Sequence, residues 1–218
     1  MEMKITEPAD SGLVFFGKMS ASISHEIKNV LAIINENAGL TEDLIALAEK
    51  GRPLDLGRIK ALASKVRQQV QRGDQIVKTM NLFAHSADNK KGEILPADFL
   101  ALMVSLSRRL ASIKGFEIDV RCDKGIPEIT TIPFFLENLL WLLIEYAMQV
   151  GEGERRLILC AGELDGKLQI GIKLSPFRGS PNASVFPGER ERRLAEALDA
   201  DLIVDPEKGE VSVLLKIK

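Results

Sequence analysis

Cysteine is scarce: Cys122 and Cys160 are the only two in 218 residues. They fall in unrelated segments without metal-ligand spacing, so a disulfide framework and a cysteine metal site are both excluded, and a reduced core role fits each. Charge of one sign is also missing, with 29 basic against 31 acidic residues and a net charge of -2. Without surplus cations to neutralise phosphates, nucleic acid is a poor candidate for the main partner. Long apolar runs are absent too. The longest, Phe134 to Val150, is interrupted by Glu137, Asn138 and Glu145 and is too short to span a bilayer, which argues against membrane insertion. Met1 to Thr6 contains no apolar stretch behind a basic one, so no signal peptide is visible, and the expected location is the cytoplasm. What remains is ordinary globular composition, 45% hydrophobic and 28% charged, at a length that allows one large or two small domains.

The most informative stretch is Ser22-Ile23-Ser24-His25-Glu26-Ile27-Lys28-Asn29, set inside a long run with helical spacing. Phe16, Met19, Ile23, Ile27, Val30, Ile34 and Ala38 recur at steps of three and four, the core stripe of an amphipathic or coiled-coil helix. His25 lies two residues from both Ile23 and Ile27, so at about 100° per residue it points away from that stripe, toward solvent. Ser22 and Asn29, three before and four after, are expected on the same face. Glu26 follows about 100° round the turn.

Residues 12 to about 50 read as one helix, stopped by Gly51-Arg52-Pro53. Asp55 is the expected N-cap of a second helix whose stripe runs Ile59, Leu62, Val66, Val70, Gly73, Ile76 or Val77, Met80 and Phe83. Gly57 and Gly73 within it imply close packing or tolerance, and His85 near its C-terminus has a structural reading through the helix dipole. Two such helices form an antiparallel hairpin that cannot cover its own apolar stripe; a second copy would, giving a dimeric four-helix bundle. Polar Asp88 to Gly92 marks a linker, separating a hairpin domain at 1–88 from a second domain at 93–218.

Beyond the linker the pattern gives a helix from Phe99 to Ile113, a half-buried strand from Phe116 to Cys122, and an apolar helix from Phe134 to Gln149. A hairpin of Arg156–Ala161 with Lys167–Leu174 follows around Glu163 to Gly166. Then come a helix from Glu189 to Leu198 and a final hairpin of Leu202–Val204 with Val211–Ile217 around Pro206 to Gly209. Helices alternating in blocks with hairpins predict an α+β sandwich.

His25-Glu26-Ile27-Lys28-Asn29 resembles the H-box of sensor histidine kinases: a phosphoacceptor histidine, an acid, an apolar residue, Lys or Arg, then Asn or Thr. Val30 stands where that family usually has proline. The order of elements after the linker is similar to the ATP-binding domain of the same kinases, shared with certain chaperones and topoisomerases, so the resemblance covers nearly the whole chain. Three departures concern the nucleotide. The Asn box corresponds to Leu142 to Ala147 and carries Tyr146 where Asn is expected. Lys173 to Gly179 lacks the Asp and paired glycines, and Pro187 to Arg193 keeps one glycine, Gly188. The segment standing for the ATP lid is shortened to roughly Gly179 through Gly188. Asn138 falls too early on its helix for the magnesium ligand, and Arg178, Arg190, Arg192 and Arg193 read as a solvated face more than as phosphate contacts.

The resemblance with these departures implies a fold retained without ATP and with no cofactor or metal of its own. It implies a dimeric histidine phosphotransferase in a two-component phosphorelay, accepting phosphate on His25 from a response-regulator aspartate. Glu26 would orient the ring or accept its second proton, Val30 would contribute to the docking patch, and magnesium would belong to the partner receiver domain. Asn29 supports a rival outcome, since the Asn or Thr at this place in the kinases positions water to hydrolyse an aspartyl phosphate. A catalytically silent regulator and an atypical kinase complete the expectations.

Overall fold

The computed structural model describes residues 8–88, 91–151, 155–175, 186–205 and 209–217. Parts of the expected linker, the loop after Ser175 with Arg178, most of the shortened lid, and the turn at Pro206 to Lys208 lie outside the described residues. The chain divides into two compact units, Ser20–Asn81 on one side and Met1–Met19 with Leu82–Lys218 on the other.

Ser20–Asn81 is a pair of long helices. They belong to α1 (Pro8–Glu49) and α2 (Leu56–Ser86). The stop is local chemistry. Gly51 takes φ +86°, Gly51 N–H donates to the Ala48 carbonyl at 2.9 Å and Arg52 N–H to that of Leu47 at 3.2 Å, closing the last turn of α1 in a Schellman arrangement. Asp55 then caps α2, its Oδ1 accepting from Arg58 N–H at 3.0 Å. Ile23 and Val30 are buried at 5% and 3% exposure, and Gly73 meets the Val30 side chain so closely that an added Cβ would come within 3.3 Å of its Cγ1. Of the two readings of Gly73, close packing is the one seen.

A second apolar seam runs along this unit and is left open. Ile27, Leu31, Ile34, Ala38 and Ile45 on α1 are half-buried or exposed, as are Leu56, Ala63, Val70 and Val77 on α2, the latter spaced by whole heptads. Leu31, Leu56 and Val70 are 58%, 64% and 55% exposed. The stripe expected on α1 is therefore two interleaved stripes, one turned to α2 and one turned outward.

The other unit carries β1 (Gly92–Ile94), α3 (Pro96–Ile113), β2 (Glu117–Cys122), β3 (Ile129–Thr131), α4 (Pro133–Val150), β4 (Arg156–Leu164), β5 (Lys167–Ser175), α5 (Glu189–Ala197), β6 (Asp201–Asp205) and β7 (Glu210–Lys216). Five strands form a mixed sheet in the order β2-β4-β5-β7-β6, while β1 and β3 pair apart as a two-stranded antiparallel ribbon. β2 and β4 are parallel, joined by a crossover through α4; the remaining pairs are antiparallel. Alternation decides which face is covered. Leu168, Ile170, Ile172 and Leu174 of β5 are at most 4% exposed, and Leu157, Leu159 and Ala161 of β4 match them. α3 packs on β2 and β4, α4 on β5 and β7, and α5 on β6, which makes a two-layer α+β sandwich. The β4–β5 turn closes on Asp165 and Gly166 alone, both at positive φ (51° and 72°), the geometry of a type I′ hairpin.

The ends of α1 and α2 are held in this unit. Phe15, Phe16, Phe83 and Phe134 form an aromatic cluster, with Phe83 5.4 Å edge-on to Phe15 and 5.3 Å stacked on Phe16. Gly12 is required beside it, because a Cβ there would lie 2.8 Å from the Phe134 ring. Lys18 sits 4.9 Å from the centroid of Trp141 and pairs with Glu145.

Candidate functional site

His25 is exposed on the outer face of α1, flanked along the helix by exposed Ala21, Lys28, Asn29 and Ala32. Its neighbours are short or polar, so the imidazole stands clear of bulky side chains on its own helix. Asn29, four residues on, shares the face. Glu26 is turned to the other helix: its side chain is 22% exposed and its Oε2 lies 3.8 Å from an Nη of Arg72 on α2. The structure thus keeps His25 and Asn29 together and gives Glu26 a basic partner that sequence spacing did not reveal.

Two expectations around the histidine are corrected. Ser22 does not share the solvent face; it is 3% exposed and its hydroxyl has no hydrogen-bond partner among the described residues. Three residues before His25 is about 300° of rotation, enough to bring Ser22 to the buried side next to Ile23. Val30 is no docking surface either, because it is buried at 3% exposure against Gly73. Outward apolar surface in this stretch comes instead from Leu31.

The second place of interest is the middle of α4, where the resemblance would put a nucleotide. Tyr146 stacks on Phe186, with ring centroids 3.9 Å apart and planes 11° from parallel. Burial pushes the Tyr146 hydroxyl above its usual range. Beside the pair, Tyr146, Ala147, Val150, Ile172, Leu174 and Val211 line a cavity of ≈20 Å³, which has room for about one water molecule. Tyr146 stands where the resemblance expects an amide, and Lys173 follows Ile172 where it expects an acid.

Asn138 is likewise structural. It is 1% exposed and donates from Nδ2 to Ser11 Oγ at 2.9 Å. Two arginines of α5 pair with acids of the same helix, Arg193 with Glu189 at 2.8 Å and Arg190 with Glu191 at 3.6 Å, while Glu191 also caps the helix through Gly188 N–H at 2.9 Å. His85 is exposed at the end of α2, with Nδ1 3.1 Å from Asp88 Oδ2. Among the described residues no group of three or more His, Cys, Asp or Glu is arranged to hold a metal ion, and no helix is long and apolar enough to cross a membrane.

One polar residue escaped sequence reasoning. Glu137 is 1% exposed, and Ser86 Oγ lies 2.7 Å from its Oε2. The same hydroxyl lies 2.8 Å from the Phe83 carbonyl. One hydroxyl proton cannot serve both acceptors, so a protonated Glu137 donating to Ser86, with Ser86 donating to Phe83, satisfies all three groups. Burial pushes the carboxyl up to about 8.

No protein-family model matches the chain, and no curated protein sequence matches it. Solved structures do. The chain is similar to Acinetobacter baumannii histidine kinase AdeS, at 11% identity over 89% of this chain and 98% of that one, TM-score 0.47. It is similar to full-length ShkA in complex with AMPPNP, at 15% identity over 87% of this chain and 46% of that one, TM-score 0.48. A bacterial phosphotransferase is similar at 12% identity over 92% of this chain and 95% of that one, TM-score 0.47. Histidine kinases recur among these neighbours, and the likeness is one of fold.

Proposed function

We propose that this protein is a histidine phosphotransferase of a two-component phosphorelay. The observation that carries the reading is His25, exposed within Ser-His-Glu-Ile-Lys-Asn on an open helix face; supporting it, Tyr146, stacked on Phe186, stands where the kinases carry Asn. Phosphate then comes from an aspartyl phosphate on a receiver domain and not from ATP.

In the transfer, the unprotonated imidazole nitrogen of His25 attacks phosphorus in line with the aspartyl oxygen. The N–P bond forms as the P–O bond breaks, the aspartate leaves as a carboxylate, and the proton on the other ring nitrogen passes to solvent or is retained. Helix α1 contributes placement, holding the ring at a fixed height on a rigid rod. Glu26, fixed by Arg72, sets the local field beside the ring rather than sharing its proton. The partner receiver supplies the magnesium ion. A second copy covers the outward seam of Ile27, Leu31, Ile34, Val70 and Val77, completing a four-helix bundle that displays two His25 side chains.

Asn29 favours a second reading, hydrolysis of the aspartyl phosphate by a water held at its amide, because it shares the exposed face with His25. The test is a phosphotransfer assay with labelled phospho-receivers from the same cell, wild type beside His25→Ala and Asn29→Ala, with labelled ATP alone as a parallel arm. Label on wild type from a phospho-receiver, lost in His25→Ala, is expected. Label from ATP alone overturns the proposal. Receiver dephosphorylation that survives His25→Ala and fails in Asn29→Ala replaces it with the phosphatase reading.

A further inference from the structure

The helical unit segregates its charges. From Leu31 to Glu49, α1 carries four acids and no base, while from Leu56 to Gly73, α2 carries five bases and no acid. Of these only Arg72 pairs across the hairpin, with Glu26 at 3.8 Å; the rest make no ion pair among the described residues. The partners they lack within the chain can come from a second one.

Two of these charges border the open seam. Glu42 is four residues after Ala38 and three before Ile45, and Lys60 is four after Leu56 and three before Ala63, so each lies between successive seam residues of its helix. Arg67 repeats the position of Lys60 one heptad on, and the next repeat, Asp74, is engaged with Lys78 at 2.7 Å. Glu42 and Lys60 are both exposed, on the side of the seam away from the intrachain contact, where Val30, Asn37 and Leu62 are at most 6% exposed. Flanking charges of this kind set partner choice and orientation in coiled coils.

Their levels along the helices also match. Val30 meets Gly73 within the hairpin. Twelve residues on along α1 from that level is Glu42 and thirteen back along α2 is Lys60, displacements of about 18 and about 20 Å at the helical rise. A twofold axis parallel to the helices moves nothing along its own direction, so it sets α1 of one copy beside α2 of the other with Glu42 and Lys60 level.

We propose that Glu42 of one copy pairs with Lys60 of the other, and that this contact, made twice per dimer, selects the packing of α1 against α2 between two copies of this chain. The inference rests on the four-helix bundle proposed above. Packing α1 on α1 would set acid against acid beside the same seam, a like-charge contact that disfavours that arrangement.

The test is sedimentation of the full chain over a concentration series at low and at high sodium chloride. Glu42→Lys and Lys60→Glu each turn two attractions into two repulsions, and each is expected to weaken the dimer about tenfold at low salt and less at high salt. Both sites are exposed, and Glu and Lys form helices about equally well, so the variants keep the fold. Mixed in equal amounts, the two variants are expected to form a heterodimer as tight as the wild-type dimer, because one of its contacts is the native pair and the other is that pair reversed. Mixing would not restore an ion pair made within one chain. Single variants that dimerise as wild type does, or a mixture that stays as weak as its parts, overturn the pairing and leave the bundle standing. Wild type that is monomeric at every concentration overturns the pairing and the bundle together, while the His25 assay decides the phosphotransfer reading separately.

Discussion

Replacing Glu137 with glutamine should flatten the pH dependence of this protein's stability. The carboxyl is held near 8 in the fold against an ordinary value of 4.5. Below about pH 4.5 both folded and unfolded chains hold the proton, and the group contributes nothing to the difference. Between the two values the unfolded chain releases its proton while the folded chain keeps it, so stability falls as pH rises, by at most about 1.4 kcal/mol per unit. Above about 8 both states are ionised and the loss is complete, roughly 3–5 kcal/mol for a shift of this size. Glutamine preserves the geometry, since its amide donates to Ser86 as the protonated acid does, yet it does not titrate. Urea unfolding of wild type and Glu137→Gln at about pH 5, 7 and 9 isolates the effect, because every other titrating group is common to both. The two should have similar stability at the lowest pH, with the variant ahead by several kcal/mol at the highest. Parallel curves would refute the assignment of Glu137 as a buried neutral acid.

Other perturbations probe the rest of the fold. Gly171→Ala places a Cβ 2.6 Å from both Ser212 Cβ and the Val211 carbonyl oxygen, a clash with neighbouring backbone that should cost about 1–3 kcal/mol or more in urea unfolding. Phe83→Ala opens a void at the centre of the aromatic cluster, where Phe83 is 1% exposed, and should cost about 3–5 kcal/mol by the same measurement. Asp55→Ala removes the cap on Arg58 N–H, with an expected loss of about 0.5–2 kcal/mol and faster amide exchange confined to the first turn of α2.

What could be read from the sequence was mostly what is local. The Gly51 stop, the Asp55 cap and the alternation in β4 and β5 each involve residues within a few positions of one another, and each has the expected form; the turn expected over Glu163 to Gly166 is tighter, because Glu163 and Leu164 stay in the ladder and Asp165 and Gly166 alone make it. The strands β1 and β3 were missed because three residues are too few to show a period. Other features join distant residues. Ser86 and Glu137 are 51 positions apart, Glu26 meets Arg72 from the opposite helix, and Tyr146 meets Phe186 across the chain. Such pairs leave no periodic trace, so neither the buried acid nor the Tyr146–Phe186 stack could be seen in advance as contacts.

The histidine helix shows why periodicity can place a residue and still mislead about its neighbours. A helix packed on one side has one apolar stripe, and a residue off that stripe faces water. α1 has two, a buried one through Met19, Ile23 and Val30 and an outward one through Ile27, Leu31 and Ile34. His25 is exposed because it lies off both. Ser22, placed by reference to a single averaged stripe, falls on the buried one, and Val30 is lost to solvent for the same reason. The exposed arc around His25 left to an approaching partner includes Ala21, Ser24, Lys28, Asn29 and Ala32. A helix that must serve an intrachain partner and carry a second apolar seam has little circumference left, and the short side chains on that remaining arc leave space around the imidazole.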